Sequence, residues 1–271
     1  MDAMHNLNAG LLAAVEAIER DSGGILCFAV QDLQTGEAWR YRADHKCRTA
    51  SIIKFPILVH IALAVFESGL TWKEMLTLTA EEKVGGSGIL TQLTPGTALS
   101  IRDICVLMTV LSDNTGTNML IERLGVAPIN ARMRSLGLPV TTVFRKSFQP
   151  DTPESAPYGW GVTTPEEMLS LIRRLAADRI GDAATSADLI AILEQQFYRD
   201  AIPRYLPADW RYAGKTGSLN ACRNDVGLVT LPDGRRFGLS LFCQDLTVEN
   251  WTADNPGLLA LARLARLLLP A

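Results

Sequence analysis

Ser51 and Lys54 stand three residues apart in Ser51-Ile52-Ile53-Lys54, a spacing that puts a hydroxyl and an amine on one face of a helix. A serine hydroxyl is a weak nucleophile until a neighbouring base takes its proton, so the pair has the parts of an acyl-transfer centre. Lysine can be that base near neutral pH only if its pKa falls, which burial and a second cation both favour. Lys215, in Lys215-Thr216-Gly217, can supply that cation; on a strand it shares a face with Gly217, whose lack of a side chain would let a substrate backbone approach. Ser112-Asp113-Asn114 adds a second hydroxyl and an amide between the other two motifs. Each pattern alone has a bland explanation: Ser51 as a helix cap with Lys54 solvated, or Ser112-Asp113-Asn114 as a loop. Found in this order in a chain with six lysines, the three together predict a serine hydrolase that forms an acyl-enzyme. A helix beginning at Ser51, which Pro56 in its first turns tolerates, would also aim its positive end at the charge developing on the adduct.

These motifs, the longer run Ser112-Asp113-Asn114-Thr115-Gly116-Thr117-Asn118-Met119-Leu120 and the segment Thr49-Ala50-Ser51 resemble the class A serine β-lactamases and related penicillin-recognising enzymes. The resemblance covers nearly the whole chain. It implies that Ser51 is the nucleophile, activated beside Lys54, that Ser112 passes a proton to the leaving nitrogen, and that Asn114 binds the substrate's amide arm. It also implies that Lys215 and Thr216 hold the substrate carboxylate and that the amide after Gly217, on Ser218, pairs with that of Ser51 as an oxyanion hole. Asn118 matches an asparagine of that family. Arg223, or else Arg211, could add a second charge for the carboxylate; a structural salt bridge is the other reading. One feature is missing: the family's loop motif Arg-x-Glu-x-x-Leu-Asn has a glutamate that activates water, and here Ser147 follows Arg145 in its place. Asp151 and Glu154 remain as loop acids that could approach the ester. The implied activity is opening of the β-lactam amide. The alternatives are a D-alanyl peptidase or esterase-like penicillin-binding enzyme, or a β-lactam-binding protein that stays acylated.

The 271 residues, 48% hydrophobic and 20% charged, suffice for a substantial core. A net charge of −3 with scattered basic residues offers nothing to nucleic acid or an anionic membrane. The resemblance implies a small β-lactam or acyl-peptide substrate as the partner, and a monomer is expected. Met1 to Arg20 alternates like an amphipathic helix rather than a secretory signal, which reads as cytoplasmic unless an export segment has been removed. Cys27, Cys47, Cys105, Cys222 and Cys243 lack metal or disulfide spacing and read as buried thiols, although Cys27 and Cys243 could bridge two strands of one sheet. His5, His45 and His60 are too scattered for a metal, and His60 reads as a satisfied helix residue; neither metal nor cofactor is expected.

The elements that must position the motifs follow from periodicity. Helical spacing appears over 8–20, 52–66, 101–111, 118–124, 127–136, 165–176, 186–196 and 256–269, and strand patterns over 25–31, 38–43, 211–216, 225–231 and 236–243. Strands at both ends with helices between predict an α+β fold: an antiparallel sheet flanked by helices, formed by both termini (1–48 and 197–271), with an all-α domain (49–196) inserted and the site at their junction. The glycine-rich stretch Val84 to Leu90 reads as a wall of that pocket. The apolar runs 52–66 and 258–269 are too short or too interrupted for membrane spans and read as buried helices.

Overall fold

A computed structural model describes residues 7–270, so His5 lies outside it. Asn8 accepts a hydrogen bond from the Leu11 amide at 2.9 Å and so starts α1 (Ala9–Ser22), which Gly23 ends in the left-handed conformation. β1 (Ile25–Asp32) and β2 (Ala38–Tyr41) follow, then a short β3 (Cys47–Arg48), the 3-10 turn Ala50–Ile53 and α2 (Lys54–Phe66). The middle of the chain gives β4 (Met75–Thr77), β5 (Ala98–Ser100), α3 (Ile101–Val110), α4 (Asn114–Leu124), α5 (Val126–Ser135), β6 (Thr142–Val143), β7 (Gly161–Thr163), α6 (Pro165–Ala176) and α7 (Ala183–Glu194). It closes with β8 (Arg211–Leu219), β9 (Cys222–Thr230), β10 (Arg236–Gln244) and α8 (Pro256–Leu268).

The long strands form one five-stranded antiparallel sheet in the order β2-β1-β10-β9-β8. β1 pairs with β10 from Ile25↔Gln244 to Asp32↔Phe237, so the two ends of the chain complete one sheet, as the strand patterns predict. Because side chains alternate along a strand, Leu26, Phe28 and Val30 join a core with α1 and α8, while Cys27 faces a second core built around α2. The same alternation rules out a Cys27–Cys243 bridge. Cys27 lies opposite Phe242 and Cys243 opposite Leu26, which sends the two thiols to opposite faces, and all five cysteines are free and buried.

α2 is buried from Lys54 through Leu63, and that burial on all sides is why its sequence is apolar all round. No helix among the described residues is long and apolar enough to cross a membrane. His60 sits in this helix, but Nδ1 has no hydrogen-bond partner, contrary to the satisfied residue expected; burial and then the charge of Arg132 hold its pKa below the usual value. The helix after the second motif starts at Asn114 rather than Asn118, because Asp113 caps it by accepting from the Gly116 amide at 2.8 Å. The two- and three-residue strands β3 to β7 escape a periodicity argument, since so few residues carry no pattern.

Candidate active site

The segment before Ser51 is fixed from three sides. The Thr49 amide donates to Gly161 O at 3.1 Å, and Asn224 Nδ2 donates to Arg48 O at 2.9 Å and Thr49 O at 3.1 Å. On the third side is Gly217. A Cβ there would stand 2.7 Å from Thr49 O and 2.9 Å from Ile52 N, so the lack of a side chain at this cavity-lining residue makes room for the turn that carries Ser51. Ala50 is held at φ 47°, a conformation that costs a non-glycine residue on the order of 1–3 kcal/mol and collects at functional sites. In the 3-10 turn that follows, residues three apart eclipse, which stacks Ser51 and Lys54 on one side.

Two fully buried lysines converge on Ser112, itself at φ 55°. Lys54 Nζ donates to Ser112 O at 2.6 Å, Ser112 Oγ at 3.1 Å and Asn114 Oδ1 at 2.8 Å; Lys215 Nζ donates to Ser112 Oγ at 3.1 Å and Thr216 O at 2.8 Å. With both lone-pair directions of Ser112 Oγ taken by amines, its own hydrogen is free to be donated. Burial above all, and then repulsion from Lys215, push the Lys54 pKa well below its usual 10.5. Burial pushes Lys215 down to about 7 against the opposing pull of Asp225. Asp225 lies opposite Thr216 in the ladder, buried, and accepts from the Tyr212 hydroxyl and, at 2.9 Å, from the Ile202 amide.

Both walls of the pocket, a cavity of about 840 Å³, are tied to these motifs. Asp113 Oδ2 accepts from the Ile89 and Leu90 amides at 2.7 and 2.9 Å, holding the glycine-rich stretch so that Gly86 and Ser87 line the cavity. Asn114 Nδ2 donates to Gly85 O at 3.0 Å, which leaves one amide hydrogen for a ligand. Opposite, β8 has β9 on one side only, and Thr216, Gly217 and Ser218 face the cavity from its free edge. Arg223 pairs across the ladder with Ser218, and thus shares its face. The guanidinium is buried against the Leu219, Cys222 and Asn250 carbonyls, with the Trp251 ring at 4.8 Å, and forms no salt bridge among the described residues.

Residues 11–270 match the model of the β-lactamase enzyme family. The chain belongs to that family. Among curated relatives it is 28% identical to β-lactamase AER-1 of Aeromonas hydrophila over 83% of this chain and 75% of that protein. Among solved structures it is similar to a β-lactamase of Sphaerobacter thermophilus, with TM-score 0.87 and 28% identity over 98% of this chain and 100% of the other. An ancestral class A β-lactamase gives TM-score 0.84 and 26% identity over 94% and 97%. The class A resemblance read from the motifs therefore holds across the chain.

Within this β-lactamase-family site, the other acids and arginines weighed from the sequence fall elsewhere. Glu154 is exposed and does not line the cavity; Asp151 is held by Arg145 at 2.7 Å and by Ser155 at 2.9 Å. Arg211 pairs with Glu194 at 2.6 Å and is itself largely exposed. The loop instead presents Arg145, Ser147, Phe148 and Gln149 to the cavity, with no acid among them. Asn118 explains how: its side chain donates to Ser147 O at 3.1 Å and accepts from Ser147 N at 2.8 Å, clamping the backbone where the family's glutamate stands. Trp160, absent from the sequence reading, lines the cavity with its ring centre 5.1 Å from Lys54 Nζ. Asp200, Tyr198 and Trp251 were missed as well. They come from connections without periodicity, and no local signal marks them.

Proposed function

We propose that this protein is a serine β-lactamase in which Ser51 opens the lactam amide and the acyl-enzyme is released slowly. The observation that carries the reading is the convergence of two buried amines on the Ser112 hydroxyl, in the cavity that Ser51 also lines. Neutral Lys54 takes the Ser51 proton as Oγ bonds to the lactam carbonyl carbon, and the oxyanion is held by the Ser51 and Ser218 amides. As the carbon–nitrogen bond breaks, the nitrogen takes the Ser112 proton, and the lysine ammonium hydrogen-bonded to Ser112 Oγ replaces it. Lys54 ends neutral again. Thr216, Lys215 and Arg223 face the substrate carboxylate, and Asn114 the amide arm. Asn118 acts only through the loop it holds.

Release of the acid needs a base for water, and the loop has none in the cavity. The amine of Lys54 remains, but Ser112 O, Ser112 Oγ and Asn114 Oδ1 crowd it at 2.6 to 3.1 Å, and Trp160 covers it. Release is therefore the slower step. Every group invoked comes from one chain, so a monomer suffices. Intact mass followed after mixing with a penicillin is expected to show an adduct that forms quickly, decays slowly and is absent in Ser51→Ala. No adduct in the wild type would refute the reading.

A further inference from the structure

Charge in the cavity is uneven. Arg145 is neutralised by Asp151, while Arg223 meets only carbonyls and a ring. Asp200 is the one carboxylate among the described lining residues, and no hydrogen bond or ion pair engages it there. Its place in the fold is the Thr216 end. Two residues on, the Ile202 amide binds Asp225, which lies opposite Thr216 and shares a face of β9 with Arg223. Tyr198 and Trp251 line the cavity too, and Trp251, 67% exposed, leaves much of its surface to a ligand although Arg223 lies over its ring.

An acid without an ion pair among the described residues, in the same cavity as an arginine that would bind carboxylate, repels a simple monoanion, whereas a substrate carrying both charges satisfies both groups. Aromatic faces next to an acid also suit a diffuse cation. Resting on the β-lactam reading above, we propose that this end of the cavity selects zwitterionic β-lactams: Thr216, Lys215 and Arg223 take the carboxylate, and Asp200, with Tyr198 and Trp251, takes a cationic arm on the same ring.

The test uses two cephems with the same acyl arm, one with a quaternary ammonium on its 3-substituent and one with a neutral isostere. Rates of Ser51 adduct formation are read by intact mass at low and high salt. The wild type is expected to react roughly three- to tenfold faster with the cationic compound at low salt, with the preference shrinking as salt screens it. Asp200→Asn should bring the ratio near one, while Asp233→Asn, the same charge change in a remote turn, should leave it unaltered. Equal wild-type rates, a preference indifferent to salt, or a preference surviving Asp200→Asn would overturn the assignment while leaving the β-lactam reading intact. An Asp200→Asn variant that slows both compounds alike would also overturn it and place Asp200 in the chemistry. Absence of any adduct with either cephem or with a penicillin would overturn both.

Discussion

The proposed acylation needs Lys54 neutral and Lys215 cationic, and burial lowers the pKa of both. Burial and then the neighbouring Lys215 cation disfavour the Lys54 ammonium and hold its pKa well below 10.5, so acylation should climb as Lys54 gives up its proton with rising pH. Lys215 stays cationic up to about 7 and then loses its charge, so carboxylate binding and acylation should fall above it. Adduct formation against pH is expected to be bell-shaped, and Lys54→Ala should remove the rising limb and cost about 10²–10⁴ in rate, the size of a general-base contribution. A rising limb that survives the substitution would assign the base elsewhere. Ser147→Glu should act on the other step. Its backbone is clamped by Asn118 and the residue lines the cavity, so a carboxylate placed there is expected to reach the ester, and adduct decay timed by intact mass should quicken by roughly tenfold or more. Unchanged decay would mean that water does not reach that side.

Among the elements, contact between β8 and the turn carrying Ser51 matters most to the site. Gly217 lets the edge strand lie against Thr49 and Ile52, so Gly217→Ala must push strand and turn apart. Displacing reacting groups by a fraction of an ångström to an ångström costs up to roughly a hundredfold in rate, so acylation should fall by about that order while the melting temperature moves far less. Equal losses in activity and stability would make the contact merely structural. Capping explains the boundaries the sequence placed late: Asp113 starts α4 at Asn114, and Asp182 starts α7 at Ala183 by accepting from Thr185 at 2.8 Å. Both caps are visible as residue types, but periodicity alone looks past them to the first apolar repeat.

For the molecule as a whole, one core runs through sheet and helices: Cys27, Val226 and Phe242 of the strands are in the same buried cluster as Ile57 and Leu58 of α2 and Met108 of α3. We therefore expect the sheet and the intervening helices to unfold together. Leu58→Ala, at a fully buried position, should cost about 2–5 kcal/mol and shift far-ultraviolet dichroism and tryptophan fluorescence by the same temperature. Two separated transitions would indicate independent domains. The meeting of both lysines at Ser112, the place of Ser51 on the same cavity and the strands at each end were legible in the chain, because motif spacing and side-chain periodicity are local properties of neighbouring residues. The opposed directions of Cys27 and Cys243, the packing role of Gly217, the cover of Trp160 over Lys54 and the free Asp200 were decided by tertiary structure alone. Each depends on strand register or on where an aperiodic connection comes to rest, and only the closed core determines that.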